Sequence, residues 1–294
     1  MSLNPNIGFL DFGVVASTPV GAEFDHFRQY ISEGRNAAMH YLSANMDKRE
    51  NPSLLVEGAK SILCFLAPYG NRGNAVASFA LGEDYHKVIK DKLFAVMQYL
   101  SDEMSLRGGE PFVGRAFTDS APVLERYWAA KASLGFIGKN NFLISPRFGL
   151  RTLIGVIICN IPPEMFEPHA PLPEGCSCGE CRKCLDACPD GALRAAYTLD
   201  ARRCISYHTI EDRELYDSHP IDYHGQLFGC ERCIKVCPWN KETPSWSEFE
   251  TNADYLLSLT HEKWLAMNEA TFHEKFKNTS LQRAGLAKIK NNIK

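Results

Sequence analysis

The sequence predicts an α+β protein: a mixed α/β N-terminal unit, a compact iron–sulfur unit behind it, and a helical tail. Three observations predict it. Helical periods and buried apolar runs alternate through the first 165 residues, eight of eleven cysteines crowd between positions 178 and 237, and the pattern from residue 248 onward is helical. Boundaries are therefore expected at 1–165, 166–245 and 246–294.

The elements follow in chain order. Residues 24–31 carry apolar side chains at helical spacing, and 59–67 read as a buried strand. A long amphipathic helix spans 85–104, and a second buried strand spans 150–159. Pro162, Pro163, Pro168, Pro171 and Pro173 then mark a linker, because proline ends regular structure. Cys64 and Cys159 sit inside the two apolar runs and read as core residues.

The second unit is defined by thiolate spacing. Cys178-x2-Cys181-x2-Cys184-x3-Cys188-Pro189 is the bacterial ferredoxin signature, in which three close thiolates hold one cube and the fourth reaches across to another. The second half is Cys230-x2-Cys233-x3-Cys237-Pro238, one ligand short because Leu227 stands three places before Cys230. Cys204 is the natural substitute. The predicted ligand sets are Cys178, Cys181, Cys184 and Cys237 for the first [4Fe-4S] cluster, and Cys188, Cys204, Cys230 and Cys233 for the second. Cys176 is left as a bystander. Structural zinc would leave odd ligands in the first run, and disulfides are disfavoured without a secretory signal. Gly191 and Gly229 supply the tight turns a chain wrapped round a cube requires.

Composition bounds the class. The chain has 294 residues, far more than a carrier of two clusters needs, so a larger unit uses the electrons. It is 45% hydrophobic and 23% charged, with no apolar run near the ~20 residues of a membrane helix. Met-Ser-Leu-Asn-Pro-Asn is neither basic nor apolar as a leader would be, so a cytoplasmic protein is expected. A formal net charge of −3 argues against indiscriminate nucleic-acid binding but allows a local basic patch. Lys275, Lys277, Arg283, Lys288, Lys290 and Lys294 form such a tail, or else the solvated face of a helix packed on the body.

No G-x-G-x-x-G and no G-x-x-x-x-G-K-[ST] occurs, so neither a Rossmann nor a P-loop nucleotide site is predicted. Two stretches carry candidate chemistry instead: Leu81-Gly82-Glu83-Asp84-Tyr85-His86, and Thr118-Asp119-Ser120-Ala121-Pro122 running into Glu125-Arg126. Asp119 and Ser120 stand before a proline and an apolar-periodic run, as a helix start is written.

These stretches, with Gly135-Phe136-Ile137-Gly138-Lys139-Asn140, Arg203-Cys204-Ile205-Ser206-Tyr207 and Gly229-Cys230 through Trp239-Asn240, occur in an order that resembles the epoxyqueuosine reductases from about Met39 to the C-terminus. The resemblance implies a cobalamin-dependent iron–sulfur enzyme that converts epoxyqueuosine in tRNA to queuosine, fed by an external donor such as flavodoxin or ferredoxin. It implies that Asp119 is the proton donor. Arg49, Tyr85, His86, Lys139 and Ser206 fall in motifs like the family's and are candidate cobalamin contacts, and Arg126 is a candidate tRNA-phosphate contact. No histidine ligand to cobalt is expected. Many family members continue into a helical-repeat domain, which this chain is too short to hold, so the basic tail is a candidate substitute. A general acid at neutral pH needs a raised pKa, which burial beside the corrin would give Asp119, whereas a helix N-terminus would oppose it. Two rival readings are a cobalamin reductase of the reductive-dehalogenase type and a plain electron carrier.

Overall fold

The computed structural model describes residues 8–293. Lys294 of the basic tail and the Met-Ser-Leu-Asn-Pro-Asn start lie outside the described residues.

Strands β1 (Asp11–Ala16), β2 (Ser61–Pro68) and β3 (Gly114–Phe117) join a later strand in the main sheet. Between them, β4 (Phe136–Ile137) and β5 (Leu143–Ile144) make a hairpin of their own. The later strand is β6 (Thr152–Cys159), and the sheet order is β1-β2-β6-β3 with every pair antiparallel. A last hairpin, β7 (Leu193–Ala195) with β8 (Thr198–Leu199), lies in the cysteine-rich part.

The two apolar runs are the central strands, and both of their faces are covered. Leu63, Phe65 and Ala67 of β2, with Ile157 and Cys159 of β6, face one core. Ile62, Cys64 and Leu66, with Ile154, Val156 and Ile158, face the other. A strand buried on both faces loses the alternation of a half-exposed one, which is why the sequence reads as continuous apolar stretches. Strands β1 and β3 escaped the sequence reading because they are short edges with half-exposed residues.

Helices α1 (Phe24–Ser32) and α2 (Met46–Glu50) lie N-terminal to β2, and α3 (Tyr85–Leu106) fills the first core with Val88, Ile89, Leu93, Val96, Leu100 and Met104. Each such side chain contributes about 1.5–3 kcal/mol on full burial. Asp84 caps α3 by accepting from the His86 N–H at 3.0 Å, which fixes Tyr85 and His86 in the first turn. Helix α4 (Glu125–Lys131) packs Trp128 and Ala129 into the second core.

The proline-rich stretch is held down more firmly than a linker. Phe166 is buried in the core of α3 and β2, and Phe249, from beyond the cysteines, is buried there too. In the cysteine-rich part, α5 (Lys183–Asp186), α6 (Ile205–Ile210) and α7 (Arg232–Lys235) are one- or two-turn helices.

The tail, α8 (Ala253–Leu257), α9 (His261–Ala266), α10 (Glu269–Phe276) and α11 (Gly285–Asn291), buries Trp264, Phe272, Phe276, Leu281, Leu286 and Ile289 against Val76, Leu81, Leu227 and Phe228. Lys288 is buried and donates to the Glu214 carbonyl at 2.8 Å, and Arg283 pairs with Glu211 at 2.6 Å. For these two cations the packed reading of the tail is the correct one. No helix among the described residues is long and apolar enough to cross a membrane.

Candidate functional site

The eight spaced cysteines fall into two groups. The side chains of Cys178, Cys181, Cys184 and Cys237 line one cavity, together with Asn140, Ile144, Pro238 and Trp239. Cys204 lies within electrostatic reach of Cys230 and Cys188, and Cys233 within reach of all three. Burial pushes the Cys204 thiol up to about 11, with those neighbours adding to it. Such stacked penalties vanish when an iron cluster takes the thiolates. Among the described residues no three His, Cys, Asp or Glu side chains converge as a single-ion site would require. Cys176 is half-buried and joins neither group.

Local structure explains the grouping. Helices α5 and α7 each occupy the stretch just before an x3-Cys-Pro step and pack on each other, so each Cys-Pro lands beside the other half's thiolates. Gly191 and Gly229 turn the chain at φ 60° and 80°, the left-handed region glycine enters freely. Cys204 stands just before α6, where the N–H groups of Tyr207 and Ser206 bond its sulfur. Ser206 thus serves a cluster thiolate through its backbone.

Lys139 sits at the tip of the β4–β5 hairpin, where its backbone N–H donates to Cys178 Sγ at 3.4 Å. Its ammonium donates to the carbonyls of Gly179 at 2.6 Å and Cys181 at 3.0 Å. Lys139 thus braces the first cluster loop, because the Gly138 turn points the hairpin there. Asn140 donates to the Cys233 carbonyl at 3.4 Å and joins the same brace.

Asp119, Tyr85 and His86 come together in a second cluster of side chains. The Tyr85 hydroxyl donates to Asp119 Oδ2 at 2.5 Å, His86 Nε2 lies 3.8 Å from the same oxygen, and the two rings stack at 4.0 Å. His86 Nδ1 bonds the Asp84 carboxylate at 2.7 Å. Burial, then the Asp119 charge, pushes the Tyr85 hydroxyl well above its usual pKa, so it stays a donor.

The helix-start reading of Asp119 is overturned. Helix α4 begins six residues later, and Asp119 adopts a left-handed backbone at φ 51° with its side chain 66% exposed. That conformation costs about 1–2 kcal/mol for an L-residue, least for Asp and Asn. Neither a helix dipole nor deep burial acts on its carboxyl. What holds the loop is Glu125, whose Oε1 accepts from the Asp119 backbone N–H at 2.6 Å. Glu125 is the residue the sequence reading missed. Burial, then the Asp119 charge, pushes its carboxyl up to about 8. Its signal was its place in the stretch that runs from Thr118 to Arg126, where no role was attached to it.

Arg49 is buried and electrostatically coupled to Glu125. Its guanidinium donates to the Tyr41 carbonyl at 3.0 Å, its Nε has no partner, and burial lowers its pKa. Tyr41 forms an exposed rim and reaches Glu211, the partner of Arg283. Arg126 is exposed and donates to the Asn141 carbonyl, while the buried Asn141 Nδ2 is unpaired. Tyr30 lies within electrostatic reach of both Arg126 and Cys204. Unpaired buried donors fit an acceptor-rich ligand, and the carbonyls of a corrin's amide arms are such acceptors.

Two groups of cluster-spaced cysteines, together with a carboxylic acid held by a tyrosine hydroxyl, define an iron–sulfur oxidoreductase. The family model described as "4Fe-4S double cluster binding domain" matches residues 177–240, and the one described as "Epoxyqueuosine reductase QueG, DUF1730" matches 49–120. The epoxyqueuosine reductase of Cellulophaga algicola is 35% identical over 299 residues, covering 98% of this chain and 93% of the relative. That of Cyclobacterium marinum is 35% identical over 301 residues, covering 98% and 92%. Among solved structures, an epoxyqueuosine reductase with an epoxyqueuosine-modified tRNA-Tyr stem loop superposes with TM-score 0.85 at 28% identity, over 98% of this chain and 77% of that one. The Bacillus subtilis enzyme, captured with its catalytic loop swung out of the active site, superposes with TM-score 0.83 at 28% identity over the same shares. The chain belongs to the epoxyqueuosine reductase family.

Proposed function

We propose that this protein reduces the epoxide of epoxyqueuosine in tRNA to the alkene of queuosine, with two [4Fe-4S] clusters and cobalamin as its cofactors. The observation that carries the reading is the Asp119 carboxyl held by Tyr85, with Glu125 on its backbone, in a chain whose eight spaced cysteines fall into two groups. The full-length likeness to named reductases supports it and leaves the dehalogenase and carrier readings without favour.

The reaction takes up two electrons and two protons and releases the epoxide oxygen as water. Cobalamin, when bound, supplies a low-potential cobalt that passes electrons to the epoxide carbon. Arg49 and Asn141 would hold its amide arms with their unpaired donors, with Tyr85 and His86 as further contacts. The cysteine sets 178/181/184/237 and 188/204/230/233 would hold the clusters. Asp119 would hold a proton at its carboxyl and give it to the epoxide oxygen. Tyr85 donates to that carboxyl and keeps it aimed, and His86 stands next in line to return a proton from Asp84's side. Arg126, exposed at the rim, would take a tRNA phosphate. Electrons would arrive singly from a carrier such as flavodoxin or ferredoxin, and we place the protein in the cytoplasm.

Asp119→Asn tests the acid. Asparagine tolerates the left-handed backbone and can still accept from Tyr85, so loop, clusters and corrin should persist. Turnover on epoxyqueuosine tRNA with saturating chemical reductant should fall by about 10²–10⁴. Near-normal turnover would remove Asp119 from the chemistry.

A further inference from the structure

The Asp119 loop is fastened at several points, but only one contact grips the backbone of Asp119. Thr118 anchors to the sheet through the Ile154 carbonyl at 2.9 Å, Ser120 accepts from Lys90 at 3.0 Å, and Tyr85 takes the Asp119 carboxylate. The Asp119 N–H, exposed by its left-handed turn, is taken by Glu125 at 2.6 Å. Glu125 opens α4, whose Trp128 and Ala129 are locked in the second core, so its carboxyl comes from a rigid base. We propose that Glu125 is the latch of the Asp119 loop: a positioning residue that selects the conformation in which the Asp119 carboxyl meets Tyr85 and His86. This rests on the reading of Asp119 as proton donor.

The surroundings of Glu125 bear on the charge of the latch. Facing it are Asp119 from the loop, Arg126 on its own helix, Arg49 of α2, Tyr85 of α3 and Cys64 of β2. Burial and the Asp119 charge outweigh the two guanidinium groups and push the Glu125 carboxyl up to about 8. Protonated or not, the carboxyl offers an acceptor oxygen to the Asp119 N–H, and the protonated form does so without adding negative charge beside the acid. A latch of this kind releases without unfolding anything, and a swung-out catalytic loop in the Bacillus subtilis relative is a state it would control.

The test compares Glu125→Ala and Glu125→Gln, both loaded with clusters and cobalamin. Glutamine keeps a neutral acceptor oxygen in the same place, and alanine keeps nothing. Hydrogen–deuterium exchange of the peptide covering 117–124 should speed up in Glu125→Ala and return to wild-type protection in Glu125→Gln. Turnover on epoxyqueuosine tRNA should fall about 10²-fold in the alanine variant, the usual effect of a mispositioned group, with KM for tRNA little changed, and recover in the glutamine variant. Wild-type exchange in Glu125→Ala, fast exchange with undiminished turnover, or glutamine as impaired as alanine would each overturn the latch. Exchange reads the latch without reference to chemistry, so an active Asp119→Asn enzyme would sink the acid assignment separately.

Discussion

Replacing Arg151 by methionine should strip the protein of a clasp between the sheet and the second cluster loop. Arg151 enters β6, and its guanidinium donates to Glu231 Oε1 at 2.9 Å and to Ser78 Oγ at 3.1 Å. Ser78 in turn donates to Glu231 Oε2 at 2.8 Å. The two charged side chains are only 2% and 4% exposed. At an effective dielectric near 20 their attraction is roughly 6 kcal/mol, a gross figure that desolvation of both ions largely offsets. The pair is therefore worth little against an apolar pair of equal volume. Breaking one side is different, because it leaves the Glu231 carboxylate buried and unpaired at a cost of about 3–5 kcal/mol. The strain falls beside Cys230, so iron should leave the second cluster first. Anaerobic urea unfolding followed by circular dichroism, with iron-to-protein ratios on the same samples, measures both effects. Arg151→Met should lower the midpoint sharply and lose iron, and Arg151→Met/Glu231→Leu should regain most of the midpoint. A double variant that loses the sum of the two single effects would refute the buried-charge account.

Two further outcomes follow from the same structure. Cys204→Ala should lose one cluster while sparing much of the other, and Cys176→Ala should keep full iron content, since Cys176 joins neither group; iron loss in the latter would break the ligand assignment. Glu125 predicts a stability profile. Its folded pKa, about 8, lies above the ordinary 4.5, so the folded state holds the extra proton between those values and stability drains away as pH rises through that window. Glu125→Gln removes the titration, and its denaturation midpoint should stay flatter than wild type from mildly acidic to mildly alkaline pH; parallel profiles would show that Glu125 titrates normally.

The parts legible in the sequence are those whose signal is local. Cluster thiolates must follow one another at fixed short intervals, and the central strands are covered on both faces, so each announces itself within a dozen residues. The helix of Tyr85 and His86 is equally local, with Asp84 as its cap. Edge strands β1 and β3 carry no such run. The Arg151–Glu231 clasp joins residues 80 apart, and nothing in either neighbourhood marks the partner.

Asp119 shows how a local rule misleads when a second pattern overlies it. Asp-Ser before a proline is a sound helix start, and a helix does follow, yet the chain first makes a left-handed turn that presents the Asp119 N–H to Glu125. The error matters chemically. A cap would have placed the carboxyl at the N-terminus of α4, whereas the observed turn leaves Asp119 outside the helix, and it is the Glu125 carboxyl that burial and the Asp119 charge push up. Two neighbouring carboxyls in different surroundings would divide the work, the exposed Asp119 as the proposed acid and the half-buried Glu125, its pKa raised, as the group that holds the Asp119 backbone. Lys139 makes the complementary point. A lysine at a hairpin tip serves whatever the hairpin reaches, and the tip of β4–β5 reaches Cys178 and the Gly179 carbonyl. Motif order thus identified the machinery, while the assignment of each side chain to electron path or proton path depended on turns that only the folded chain reveals.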